Sequence, residues 1–333
     1  MALDGAAFSP KEFSLAIQLE ANIGTAVVNA MTRVNVDSVE MPGINLTQVM
    51  EARSGSSGRV TDADDVFIDS KGTVKEINFS GVFDTVISDL LVQNACAVAV
   101  GSDMVAVSSS YTPPELETGA SSGIEKTFTI SVSQPAAGGN RSMTFPGCTI
   151  TNLTISGDMA NESGRLRFSA TAKTGFAASY NQAVGTVGTA YGTSYYSLAT
   201  LSGAKTIAGA ADSVIQSFSL NIENPSEYIG QGDASGNPEA IMRAIPEINI
   251  GMDATVKYDA NTATYMGAFN GGTNVATLLC NDTGLTESGT TFGFEAENGR
   301  ITSLSLNEAN AMMIDVSTKF VVSGSTNLFR IHL

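Results

Sequence analysis

Apolar and polar residues alternate with a two-residue period along much of the chain. The stretch Thr149-Ile150-Thr151-Asn152-Leu153-Thr154-Ile155 shows it well, with one face apolar and the other hydroxyl- or amide-bearing. That period marks a half-buried strand. Runs of this kind, ended by Gly, Asn, Asp or Ser clusters, predict strands at about 34–40, 45–50, 65–70, 73–79, 125–133, 142–157 and 164–173. A second series follows at 214–223, 247–258, 290–296, 300–306, 313–323 and 327–331. Helical periodicity is scarce. Phe83, Val86, Ile87, Leu90, Leu91 and Asn94 follow i, i+3, i+4 spacing and predict an amphipathic helix over 83–95. Tyr265, Met266 and Phe269 predict a shorter one over 262–270, stopped by Gly271-Gly272; a third is expected near 12–20. Many strands without interleaved long helices predict an all-β fold with short flanking helices, its antiparallel sheets forming a sandwich or barrel.

The elements fall into two copies of one order. Strand 34–40, a Gly/Ser-rich polar loop at 53–65, strand 73–79 and helix 83–95 precede the remaining strands of the first copy. Strand 214–223, a polar loop at 230–239, strand 247–258 and helix 262–270 do the same in the second. Sequence identity between the copies is slight, so the repeat is one of pattern. Between them, no acidic residue occurs from Glu162 to Asp212, and Tyr180, Tyr191, Tyr195 and Tyr196 stand among Gly, Ser, Thr and Ala. The expected organisation is an N-terminal arm (1–35), a first β module (36–172), a Tyr/Gly/Ser-rich linker or excursion (173–211) and a second β module (212–333).

Composition narrows the function. With 33 Asp and Glu against 17 Lys and Arg, the 333-residue chain carries a formal charge of −16, shared as −8 over 36–172 and −9 over 212–333. Tight nucleic-acid binding draws on Lys and Arg displacing counterions from phosphates, which calls for the opposite sign. Cys96, Cys148 and Cys280 are far apart and lack a CxxC pair, so buried free thiols are expected instead of a zinc site or disulfide framework. The N-terminal residues show no basic and apolar leader, and no apolar stretch reaches the length of a membrane-spanning helix. A soluble protein made in the cytoplasm, without membrane insertion, is the expectation.

The search for chemistry ends without a site. The single histidine, His332, is penultimate and poorly placed to serve a nucleophile. Asp62, Asp64, Asp65 and Asp69 suggest a calcium loop, but the positions requiring Gly and Glu hold Phe67 and Thr73. No phosphate-cradling glycine motif is present. The sequence therefore reads as no enzyme and with no metal or cofactor, and its small residues and strands suit a structural protein that packs against copies of itself.

Three stretches resemble the tail tube (major tail) proteins of long-tailed bacteriophages. Phe145-Pro146-Gly147-Cys148-Thr149-Ile150-Thr151-Asn152-Leu153-Thr154-Ile155, followed by Gly164-Arg165-Leu166-Arg167-Phe168-Ser169-Ala170, is similar to one of the family's strand pairs. Gln216-Ser217-Phe218-Ser219-Leu220-Asn221-Ile222-Glu223-Asn224 resembles the strand opening the second half, and Leu19-Glu20-Ala21-Asn22-Ile23-Gly24-Thr25 resembles an N-terminal motif. The order of the three carries the resemblance; the Tyr-rich 173–211 segment departs from it. What it implies is a virion tail protein: β-sandwich modules whose inner strands close an oligomeric β-barrel, with six modules to a ring. Stacked rings would form the tube through which double-stranded DNA leaves the capsid. Two modules per chain would make a trimer with pseudo-six-fold symmetry, one module a hexamer. Its partners would be further copies, the tape measure and terminator proteins, and DNA in transient passage.

On that reading Glu40, Glu76, Glu223, Glu247 and Asp253 are expected to face the lumen, with outward, solvent-facing positions the alternative. Glu76 and Glu247 are expected at matching places in the two copies. Arg53, Ser56, Arg59, Asp62, Asp64, Gln231, Asp233 and Asn237 are candidates for ring-to-ring contacts. The competing readings are another virion structural protein (capsid or baseplate), an outer-membrane porin, and a β-sandwich binding protein using the Tyr cluster.

Overall fold

In a computed structural model of the chain, the described residues are 14–40, 42, 46–49, 65–68, 74–101, 104–111, 115–117, 127–134, 141–182, 187–190, 192–230, 237–243, 247–285, 292–307 and 312–333. The first half contains β1 (Ser14–Leu19), β2 (Met31–Val34), β3 (Val36–Glu40), β4 (Leu46–Val49), β5 (Asp65–Ile68), β6 (Lys75–Val82) and helix α1 (Ser88–Cys96). It continues with β7 (Met104–Val107), β8 (Glu115–Glu117), β9 (Phe128–Gln134), the long β10 (Arg141–Asp158) and β11 (Arg167–Thr174). Next come β12 (Ser179–Gln182), β13 (Val187–Thr189), β14 (Ala204–Ile207), β15 (Ala210–Ala211), β16 (Ile215–Glu223), β17 (Ser226–Ile229) and β18 (Ala240–Arg243). The chain closes with β19 (Asn249–Lys257), helix α2 (Thr262–Gly271), β20 (Val275–Cys280), β21 (Gly293–Leu306), β22 (Met313–Phe320) and β23 (Phe329–His332).

The fold is all-β with short flanking helices, arranged as two tandem sandwich modules. A front sheet runs through both modules in the order β3-β6-β11-β10-β16-β19-β22-β21, antiparallel throughout. Behind it lie two smaller sheets, β2-β1-β9-β10-β12 and β15-β14-β20-β21-β23-β7. Strands β10 and β21 belong to both layers. β10 leaves the back sheet at Pro146-Gly147, where proline offers no ladder donor and Gly147 takes φ 62°. From Thr149 onward it pairs in the front sheet.

The halves repeat in register. Strand β3 joins β6 with a bulge between Val36 and Ser38, and β16 joins β19 with one between Ile215 and Ser217. Strand β10 joins β11 with a bulge between Ile150 and Asn152, and β21 joins β22 with one between Ile301 and Ser303. Matching the bulges superposes Ile150, Leu153 and Ile155 on Ile301, Leu304 and Leu306, and Lys173 on Lys319. A hairpin sits between the first two front strands of each half, β4–β5 and β17–β18.

The halves differ by an insertion. Thirty-one residues, 97–127, separate α1 from β9, whereas α2 leads almost directly to β20. The insertion crosses to the other half: β7 pairs with β23, and β8 pairs with β18. The Tyr-rich segment also bridges. Tyr196 stacks on Phe292 at 4.1 Å between centroids and lies 5.8 Å from Phe83, while Arg165 sits 4.0 Å over the Tyr195 ring.

Several expectations need correction. The helix near 12–20 is strand β1: Leu15, Ala16 and Ile17 are all buried in the back sheet, so a continuous apolar run stood where a helix was read. The expected N-terminal arm thus contributes two strands to the back sheet, β1 (Ser14–Leu19) and β2 (Met31–Val34), and 204–211 supply the matching β14 and β15. Helix α1 starts later than expected because Asp84, fully buried, accepts hydrogen bonds from the Val86 and Ile87 amides and holds a turn before it. In α2 only Tyr265 of the predicted stripe is buried; Met266 and Phe269 are exposed.

Candidate functional surface

The front sheet has one apolar face, packed on the back sheets, and one polar face. Alternation along β19 shows why: Ile250, Met252, Ala254 and Val256 point into the core, and Asn249, Gly251, Asp253 and Thr255 point away. The same rule places Glu40, Glu76, Glu223 and Asp253 on the polar face, all exposed, with Glu247 at the entry to β19. The five predicted acids thus share one surface spanning both halves.

Each is tied to neighbouring strands. Asn78 donates to Glu40 at 3.4 Å and Glu76 at 3.5 Å, and accepts from the Thr171 hydroxyl at 2.8 Å. Across the junction of the halves, Thr154 donates to Asn221 Oδ1 at 2.9 Å, and Asn221 Nδ2 donates to Asp253 at 3.3 Å. Asn249 donates to Glu223 at 3.3 Å. Thr255 donates to Asp315 at 2.7 Å.

Three cations on this face are held by carboxylates, while Arg300 donates to Asn274 Oδ1 at 3.2 Å and Lys257 is exposed at the end of β19. Lys173 pairs with Glu76 at 3.5 Å, Lys319 with Glu247 at 3.2 Å, and Arg167 with Asp37 and with Glu162 at 2.9 Å. These exposed pairs add little stability, under about 1 kcal/mol each, but each occupies a cation that a phosphate would otherwise use. The bulge register corrects the expected match of Glu76 with Glu247: opposite Lys319 the strand has Gly251, where Lys173 faces Glu76. Lysine at the equivalent site finds its carboxylate four residues earlier, at Glu247. One depression on this face, about 480 Å3, is an open groove lined by residues such as Ser156, Asp158 and Ser217. Such a surface offers a hydroxyl-rich and acid-rich plane.

The resemblance motifs serve the scaffold beneath. Glu20, 1% exposed, accepts from the Gly24 and Gly147 amides, both at 2.8 Å, and from the Thr127 and Thr129 hydroxyls at 2.8 and 2.7 Å. Burial pushes its carboxyl above the ordinary value, against the pull of those donors. It clamps the point where β10 changes sheets, and the Phe176 ring fills the space where side chains at Gly24 and Gly147 would stand. Asn224 Nδ2 donates to the Ala95 carbonyl at 2.8 Å, closing the end of α1. The buried Arg243 reaches the same end, donating to the Asn94, Ala95 and Ile150 carbonyls; burial lowers its guanidinium to about 10.

Of the predicted stacking residues, Arg53, Ser56, Arg59, Asp62, Asp64, Gln231 and Asp233 lie outside the described residues. Asn237 accepts from the Ala177 amide at 2.9 Å, holding the chain just after β11. His332 is buried in β23, opposite Gly293 and Met104. The three cysteines are buried free thiols. Among the described residues no group of His, Cys, Asp and Glu could hold a metal, and no helix is long and apolar enough to cross a membrane. No protein-family model matches the chain, and no curated protein matches it.

Proposed function

We propose that the chain is a structural virion protein that forms stacked rings of a phage tail tube, with the polar face of the front sheet lining the channel through which double-stranded DNA passes. The observation that carries this reading is a single eight-stranded antiparallel sheet with an uninterrupted polar face holding Glu40, Glu76, Glu223, Glu247 and Asp253.

Size supports it. Three copies, the number the resemblance implies, would contribute twenty-four strands. At about 4.8 Å between strands and a tilt of about 40°, they would close a barrel about 48 Å across its backbone, leaving about 35 Å after side chains. A duplex about 20 Å wide passes with hydration to spare. Electrostatics supports it as well. Carboxylates hold Arg167, Lys173 and Lys319 on this face and outnumber its cations, which keeps phosphates from anchoring, so DNA slides instead of binding by counterion release. On this reading the protein is not an enzyme, works in the virion tail after synthesis in the host cytoplasm, and meets tape measure and terminator proteins at the tube's ends.

The test is light scattering on the purified chain, with negative-stain images of the same fractions. Trimers, hexamers or tubes with a stain-filled lumen support the reading. Protein that stays monomeric at every concentration overturns it.

A further inference from the structure

The C-terminal part of β10 is flanked on both sides, by β11 and by β16. Its repeat equivalent, the C-terminal part of β21, is flanked by β22 alone among the described residues. Side-chain burial follows. Ile150, Leu153 and Ile155 are buried, whereas Ile301 and Leu304 are half-buried and Leu306 is exposed. At the other end of the sheet, β3 is the equivalent of β16 but among the described residues pairs only with β6, and Val39 is half-buried where its counterpart Phe218 is buried. The sheet therefore ends in two edges that are the two halves of its own central junction. The β21 edge runs Thr302-Ser303-Leu304-Ser305-Leu306 without a charge or proline to protect it, the kind of edge that pairs with another chain.

We infer that β21 of one copy pairs antiparallel with β3 of a second copy, in the register of the β10–β16 junction. That register is fixed by the matched bulges. In the junction Ser156 stands opposite Ser219. Counting from the bulges, Ser156 corresponds to Asn307 and Ser219 to Glu40, so Asn307, whose amide donates to Asp315 at 3.2 Å within its own chain, stands opposite Glu40 of the next copy. The contact is heterologous, which makes rings or filaments and not two-fold dimers. It also lacks the β7 and β8 braces that cross the internal junction, so it is the weaker of the two. This inference rests on the ring reading, to which it adds the partner strand and the register.

The test introduces Asn307→Cys and Glu40→Cys into the full chain and oxidises assembled particles. Within one chain the two positions lie at opposite edges of eight strands, about 34 Å apart, beyond the span of a disulfide. The three native thiols are buried and stay out of the reaction. A ladder of covalent multimers on a non-reducing gel, absent when either cysteine is present alone, supports the register; the longest rung counts the copies in the ring. Particles that form but cross-link better with Ser305→Cys and Glu40→Cys, or not at all, overturn the register and leave the ring reading standing. If the parent chain forms no particles, the ring reading fails first. A second variant, Leu306→Lys, is expected to block assembly while the monomer's unfolding midpoint stays within error; assembly unchanged by it overturns the inference.

Discussion

At the centre of the front sheet Ile155 is 1% exposed beneath β16, while at its end the matching Leu306 is 59% exposed. The two residues occupy the same place in the same repeat, four front strands apart, and differ in whether a neighbour is present. Full burial of such a side chain is worth about 1.5–3 kcal/mol, so each copy leaves a sizeable share of that unspent along β21. The comparison teaches that burial in this fold is decided by the neighbouring strand and not by the strand's own sequence, since ITNLTI and ITSLSL are nearly the same string. The centre is stabilised in the monomer, and the ends gain only on meeting another edge.

The comparison breaks most visibly under charge. Ile155→Asp buries an unpaired carboxylate and is expected to cost about 4 kcal/mol or more, enough to unfold much of the protein. Leu306→Asp is expected to change monomer stability by under about 0.5 kcal/mol. Urea unfolding of the two variants side by side measures the contrast. Next in size is Glu20→Ala, which strands four donors at the β10 sheet change and is expected to cost about 3 kcal/mol in the same measurement. At the corresponding crossing, Arg330 pairs with Glu295 and Glu297 in partly buried positions; Glu297→Gln there should cost about 1 kcal/mol or less.

Glu20 also gives a pH dependence. Because its folded carboxyl sits above the ordinary value, the native state binds the proton more readily than the unfolded chain. Its contribution to stability is therefore present at low pH and is lost as pH rises through the folded value. Melting temperatures between pH 4.5 and 7 should fall more steeply for the parent than for Glu20→Gln. The smallest effect sharpens the polar face. Glu76→Gln with Glu247→Gln is expected to shift stability by under about 0.5 kcal/mol, yet it releases Lys173 and Lys319. Anisotropy at low salt should then show weak, salt-sensitive retention of a labelled duplex that the parent lacks; equal behaviour of the two would remove the role assigned to these pairs.

Much of this was legible in the sequence. The front strands announce themselves because one face is core and the other is water, and the five acids fall on the outward positions of that alternation. Even the bulges are written there: two polar residues in succession, Thr151-Asn152 and Thr302-Ser303, interrupt the alternation where the ladders shift. What stayed hidden was non-local. β20 reads Val275-Ala276-Thr277-Leu278-Leu279-Cys280, too evenly apolar to show a period, and β14 and β15 are too short and Ala-rich to show any. Nothing local tells that β7 and β8 pair with the opposite half, or that Lys319 reaches past Gly251 to Glu247. Nothing in the sequence around Arg243 marks it as buried; its burial depends on three carbonyls brought together from α1 and β10.

In the ring proposed above, having both halves in one chain would change the concentration dependence of assembly. Six separate modules would have to meet through six bimolecular contacts, each at the free protein concentration. Joined in pairs, every second contact of that ring would form within one molecule, independent of protein concentration, and β7 and β8 brace it. At equilibrium the amount of a three-copy ring would scale with the cube of the free chain concentration, where six separate modules would give the sixth power. Nucleation is correspondingly less sensitive to dilution, and abandoned partial rings are fewer kinds of species.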